Sequence, residues 1–163
     1  MTIPHSEIIE LLEGKTLATA ESCTGGGIGA AITAIPGSSA VYKGGIVSYC
    51  NEIKRDLLGV DETVLSQFGA VSAPVAEAMA VGARNALHAD VAVSTTGLAG
   101  PGGDEFGNPV GTVYIGYSDD KILCCEHHLF HGTREEIREQ AIQAALRLIK
   151  KYNDHKEASC EKN

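Results

Sequence analysis

Short apolar runs and helical periods alternate along this chain, which limits it to few architectures. Thr16 to Ala20, Val41 to Cys50 and Asp90 to Thr95 read as strands, the last of the buried type around Val91 and Val93. Between them the spacing predicts helices. The first covers Ser6 to Leu12 and ends at Gly14. The second follows Gly25 through Ile28, Ala31, Ile32 and Ile35 and halts before Pro36. Asn51 to Leu58 closes at Gly59, and a short helix capped by Asp61 stops at Gly69. Ser72 is expected to cap a longer helix with Pro74 in its first turn. Val110 to Ser118 and Lys121 to Phe130 read as a hairpin turning at Asp119-Asp120. Thr133-Arg134-Glu135-Glu136 is a capping box that opens a last helix with Ile137, Ile142, Ala145 and Ile149 on its apolar face. The expected fold is α/β, a three-layer sandwich whose mixed, mostly parallel sheet ends in a late β-hairpin.

At 163 residues the chain fits one domain with its own core, expected over 1–152, with a polar tail over 153–163. Aromatic residues make up 5 % and Trp is absent, so the core must rest on Ala, Val, Ile and Leu. A net charge of −8 repels phosphate backbones and argues against general nucleic-acid binding. A small anion remains possible where backbone N–H groups and an Arg converge. No basic region precedes an apolar run at the N-terminus, and no stretch is apolar and long enough to span a bilayer. Five cysteines without a C-x-x-C pair suit a reducing cytoplasm, and Cys124-Cys125 read as two small strand residues facing opposite ways.

Four clusters can carry chemistry. The first is a strand running into Glu21-Ser22-Cys23-Thr24 and then Gly25-Gly26-Gly27 at a helix start. Such a turn can hold an anion or stabilise an oxyanion, yet it matches neither a Walker loop nor G-x-S-x-G. Ser22 and Cys23 are both possible nucleophiles. A base for Ser22 has to come from the histidines, a carboxylate or a lysine, with His131 still open; a helix start can depress the Cys23 pKa, and a small buried side chain is at least as good a reading of Cys23.

The second cluster is Tyr49-Cys50-Asn51-Glu52-Ile53-Lys54, at a strand-to-helix junction where α/β folds place ligands. Lys54 near a helix start, and partly buried, would have a lowered pKa, as a general base requires; the plain alternative is an exposed helix lysine. The third, Thr95 to Gly103 with Thr96 and Gly97, can supply hydroxyls and backbone donors or be a surface loop. The fourth sets Arg134 and Arg138 one turn apart at a helix start, suited to a phosphate or to pairing with nearby glutamates.

Taken together and in order, these residues resemble the CinA C-terminal domain family of nicotinamide-nucleotide amidohydrolases. The resemblance runs through Thr19–Gly26, Pro36–Ser39, Tyr42–Gly45, Tyr49–Lys54, Gly69–Ser72, Thr96–Pro101, Pro109–Val113 and Gly132–Arg138, nearly the whole chain. It implies deamidation of nicotinamide mononucleotide to nicotinate mononucleotide and ammonia, with no metal and no cofactor. Carried over residue by residue, Ser22 is the nucleophile, Lys54 its base, and Tyr49 assists proton transfer or holds the substrate. Asn51 and Thr96 line the pocket. Cys23, Thr24, Gly25 and Gly26 support the oxyanion, and Arg134 or Arg138 takes the phosphate. The family's late segment often reads G-D-R, whereas Thr133 stands here in place of Asp. The resemblance also implies a cytoplasmic homodimer or larger assembly, and a stand-alone or excised form of a unit that often follows another domain. Two rivals are a non-catalytic nucleotide-binding module and a cysteine amidase using Cys23.

Overall fold

The computed structural model describes residues 2 and 4–155. In chain order its elements are α1 (His5–Leu11), β1 (Leu17–Glu21), α2 (Gly27–Thr33), β2 (Tyr42–Val47), α3 (Asn51–Leu58), α4 (Glu62–Phe68), α5 (Ala73–Ala86), β3 (Val91–Gly97), β4 (Thr112–Ser118), β5 (Leu123–Leu129) and α6 (Arg134–Asn153). The sheet order is β2-β1-β3-β4-β5. β1 pairs parallel with β2 and β3, while β4 is antiparallel to β3 and β5. Four strands therefore point one way and β4 alone runs against them, which gives the expected α/β sandwich with its late hairpin.

Alternation along each strand divides the core in two. Leu17, Val91, Val93, Val113, Ile115 and Tyr117 pack against α1, α2 and α6. The other face carries Ala18, Ala20 and Ala92 beneath Leu58, Leu65, Val75 and Met79 of α3, α4 and α5. Small side chains there let the alanine-rich α5 lie directly on the strands. The Ser94 hydroxyl donates to the Ala76 carbonyl at 2.5 Å, and a Cβ on Gly116 would collide with that same carbonyl.

Two helix starts are capped as local chemistry predicts, and one predicted cap is not made. Asp61 caps α4 by accepting from the Thr63 N–H at 2.7 Å. Thr133 and Glu136 form the reciprocal capping box of α6. Ser72 precedes α5 but does not cap it, because its hydroxyl donates backwards to the Gly69 carbonyl at 2.8 Å. At the hairpin turn, Asp119 accepts from the N–H groups of Lys121 and Ile122 and from the Tyr117 hydroxyl. Asn153, expected to begin the tail, is instead the last residue of α6; it is buried and donates to the Tyr117 oxygen at 3.0 Å. The tail from 156 to 163 lies outside the described residues. No helix among the described residues is long and apolar enough to cross a membrane.

Candidate active site

The chain leaves β1 through α2 to reach β2 on one side, then returns through α3, α4 and α5 to β3 on the other. That reversal opens a crevice at the carboxyl ends of β1 and β3, where open α/β sheets bind ligands. A cleft of about 740 Å³ lies there. Ser22, Cys23, Tyr49, Asn51, Lys54, Thr96, Gly97 and Arg134 all line it, whereas Thr24, Gly25, Gly26 and Arg138 do not.

Ser22 follows the last residue of β1, and its N–H continues the ladder by donating to the Thr95 carbonyl at 3.0 Å. The β1–β3 register ends by pairing Glu21 with Thr95, and the residues that follow, Ser22 and Thr96, both line the cleft. Lys54 comes from the first turn of α3. Its Nζ lies 3.0 Å from the Ser22 Oγ and donates to the Ser48 carbonyl at 2.8 Å. The lysine is only 1 % exposed, and burial pulls its pKa below the usual lysine range; the nearby Cys50 and Cys23 act the other way, but less. Nζ donates to the Ser22 Oγ as well as to the Ser48 carbonyl, and once deprotonated it can keep an N–H on Ser48 while its lone pair takes the Ser22 proton. The exposed-helix alternative for Lys54 therefore fails.

Glu21 stands in the first cluster, but sequence reasoning gave it no role. Its buried carboxylate accepts from the Thr24 hydroxyl at 2.7 Å and from the N–H groups of Ile28 and Gly29 at 2.8 and 3.1 Å. Gly26 occupies the N-cap position of α2 with no side chain to offer, so Glu21 performs the capping from five residues upstream of it. The first turn of α2 thus satisfies a carboxylate of its own chain rather than a ligand. Thr24 is fully buried in the same network, bonded to the Thr95 hydroxyl at 2.8 Å.

Cys23 is the small buried side chain and not the activated thiol. Burial pushes its thiol up to about 11, outweighing the Arg138 charge that favours the thiolate. Arg138 itself donates to the carbonyls of Cys23 and Thr24 at 3.0 and 3.1 Å and so braces the turn from behind. Arg134, one turn earlier, faces the cleft, donating to the Gly100 carbonyl at 2.6 Å and to the Tyr49 hydroxyl at 3.1 Å. Tyr49 is 63 % exposed at the mouth. His131 lies in a separate groove with Glu135, Glu136 and Glu139, and no histidine among the described residues lines the cleft.

The far wall comes from the loop between β3 and β4, expected as a functional loop. Its base is pinched where the Leu98 N–H donates to the Thr112 carbonyl and the Gly111 N–H donates to the Leu98 carbonyl. Asp104 organises the tip by accepting from the N–H groups of Phe106 and Asn108. Phe106, Leu65 and Val71 add an apolar surface across from Ser22 that periodicity gives no means of assigning to a site. A serine hydroxyl against a buried amine in a cleft with an arginine and an apolar wall is an arrangement capable of nucleophilic attack on an acyl group.

The family model of the CinA C-terminal domain matches residues 4–153. A "CinA-like protein" of Sulfurihydrogenibium sp. is 48 % identical over 138 residues, 85 % of this chain and 34 % of that protein. Another, of Mycolicibacterium gilvum, is 47 % identical over 147 residues, 89 % of this chain and 35 % of that protein. The chain thus spans about a third of the length of the curated relatives it matches. Among solved structures, competence damage-inducible protein A of Klebsiella pneumoniae aligns with a TM-score of 0.88 at 31 % identity, covering 94 % of this chain and 99 % of that one. The competence/damage inducible protein CihA of Agrobacterium tumefaciens gives a TM-score of 0.82 at 39 % identity, over 91 % and 96 %.

Proposed function

The chain belongs to the CinA C-terminal domain family, and from that premise we propose that it is a hydrolase that deamidates nicotinamide mononucleotide to nicotinate mononucleotide and ammonia. The observation that carries this reading is the 3.0 Å approach of the buried Lys54 amine to the Ser22 hydroxyl. Ser22 Oγ attacks the carboxamide carbon while Lys54 Nζ takes its proton. The tetrahedral oxyanion is met by turn N–H groups not already engaged. Ser22, Gly25 and Gly27 donate to Thr95, Ser22 and Thr24; of Cys23, Thr24 and Gly26, whose N–H groups those bonds leave over, Cys23 alone lines the cleft and takes the role. Lys54 then passes the proton to the departing nitrogen, and ammonia leaves an acyl ester on Ser22. Water hydrolyses that ester, one proton returning through Lys54 to Ser22, so amide and water become acid and ammonia.

Arg134 takes the nucleotide phosphate at the cleft mouth beside Tyr49, and Phe106, Leu65 and Val71 provide the surface for the ring. Arg138, with its guanidinium on the turn carbonyls, is left a bracing role. The same reading places the protein in the cytoplasm with a pyridine nucleotide as its partner, acting as a homodimer or larger assembly. Ammonia release from nicotinamide mononucleotide by purified protein, with nicotinate mononucleotide formed in equal amount, tests it. Binding without turnover would instead identify a non-catalytic nucleotide-binding module.

A further inference from the structure

Thr96 lines the cleft and is almost fully buried, and its Oγ1 donates to the Ala70 carbonyl at 2.7 Å. A carbonyl cannot donate, so the threonine proton is committed and the hydroxyl can only accept from anything else in the cleft. The acceptor of that proton is itself held in place. The Ser72 hydroxyl donates to the Gly69 carbonyl on one side of Ala70, and the Asn108 side-chain amide donates to the Val71 carbonyl on the other. A β-branched side chain has little freedom to escape this arrangement.

Ser22 directly follows the Glu21–Thr95 pair that ends the β1–β3 register, its N–H on the Thr95 carbonyl, and both Ser22 and Thr96 line the cleft. A carboxamide carbon above Ser22 Oγ therefore turns one of its two heteroatoms towards Thr96. Only the NH2 group can satisfy an acceptor-only hydroxyl; the carbonyl oxygen is left to face the Cys23 side. Resting on the amidohydrolase reading above, we propose that Thr96 is a specificity-determining residue that accepts a hydrogen bond from the scissile NH2 and repels the carboxylate that replaces it. The device orients the leaving group and expels the acid product. It acts through hydrogen-bond polarity, because an ionised carboxylate brings lone pairs where the site already presents lone pairs.

The test is calorimetric titration of the Ser22→Ala protein with nicotinamide mononucleotide and with nicotinate mononucleotide, alone and combined with Thr96→Val or Thr96→Ser. Ser22→Ala should bind the amide about tenfold or more tightly than the acid, and Thr96→Ser should keep that ratio. Thr96→Val should bring the two affinities to within about threefold of each other, by weakening the amide and tightening the acid. Valine also strips the Ala70 carbonyl of its donor, so Thr96→Cys, a weak acceptor of similar size, replaces it if Thr96→Val does not fold. Equal binding of the two nucleotides by Ser22→Ala, or a ratio unmoved by Thr96→Val, overturns the inference while leaving the amidohydrolase reading intact. Binding of neither nucleotide overturns that reading and the inference with it.

Discussion

Arg134 and Arg138 stand one turn apart on α6, yet their guanidiniums serve opposite sides of the nucleophile turn. Arg134 opens onto the cleft beside Tyr49, and Arg138 closes on the Cys23 and Thr24 carbonyls. Their removal should therefore have different kinetic signatures. Arg134→Ala is expected to raise KM for nicotinamide mononucleotide about 10- to 100-fold, as loss of a charge-assisted phosphate contact does, with little effect on free nicotinamide. Arg138→Ala should lower kcat on both and lower Tm. Steady-state kinetics on the two substrates with a melting curve for each variant checks this, and identical profiles would refute the division of labour.

Ser22→Ala should reduce ammonia release about 10⁴-fold or more, because the nucleophile and its base act as a unit. Cys23→Ala should stay within about fivefold of the parent, since burial holds the Cys23 thiol protonated at about 11. The reverse ranking would identify a cysteine amidase.

Lys54→Arg should lose about a thousandfold in kcat, because a guanidinium does not act as a base near neutral pH and the added bulk meets a packed wall. In the parent protein only the neutral amine can accept the Ser22 proton. The value of kcat/KM must then rise with pH through the Lys54 pKa, along a limb centred below the ordinary lysine value of 10.5. A limb at or above 10.5, or substantial turnover by the arginine variant, would remove Lys54 from this role.

The same lysine should cost stability. Its folded pKa is depressed, so the unfolded chain binds the proton more readily, and stability rises as pH climbs from the folded pKa towards 10.5. Lys54→Met, which removes the buried amine, should melt a few degrees higher than the parent at neutral pH, with the gap narrowing as pH approaches 10.5. Thermal melts across pH test it, and a gap that widens with pH would contradict the assignment.

Much of this fold was legible because its signals are local. The α6 capping box spans Thr133 to Glu136, the Asp61 cap reaches two residues ahead, and α3 matches Asn51 to Leu58 at both ends. What escaped depends on distance along the chain. Strand order is set by which chain segments meet, not by any single run. Ser72 has a capping residue's identity, but its hydroxyl turned to Gly69, whose carbonyl the preceding turn brings within reach. Asn153 reads as a polar tail residue until Tyr117, 36 positions earlier, supplies an oxygen to bond.

The candidate site divides the same way. Spacing could suggest Lys54 as a base, and only the burial of its amine against Ser22 and Ser48 distinguishes it from a surface lysine. Arg134 and Arg138 are equivalent in sequence and separate only when α6 docks beside the turn. Glu21 left a faint trace: an acidic residue shortly before a helix whose N-cap position falls in a glycine run, where no side chain can do the capping.

That carboxylate has a further consequence for inhibition. With Glu21 seated at the opening of α2, the glycine-rich turn is electrostatically self-contained, and a sulfate or phosphate approaching it meets a resident negative charge. Simple anions would then compete with substrate only where Arg134 stands. The motif that most resembles a phosphate loop on paper is the part of the cleft that inorganic phosphate leaves alone.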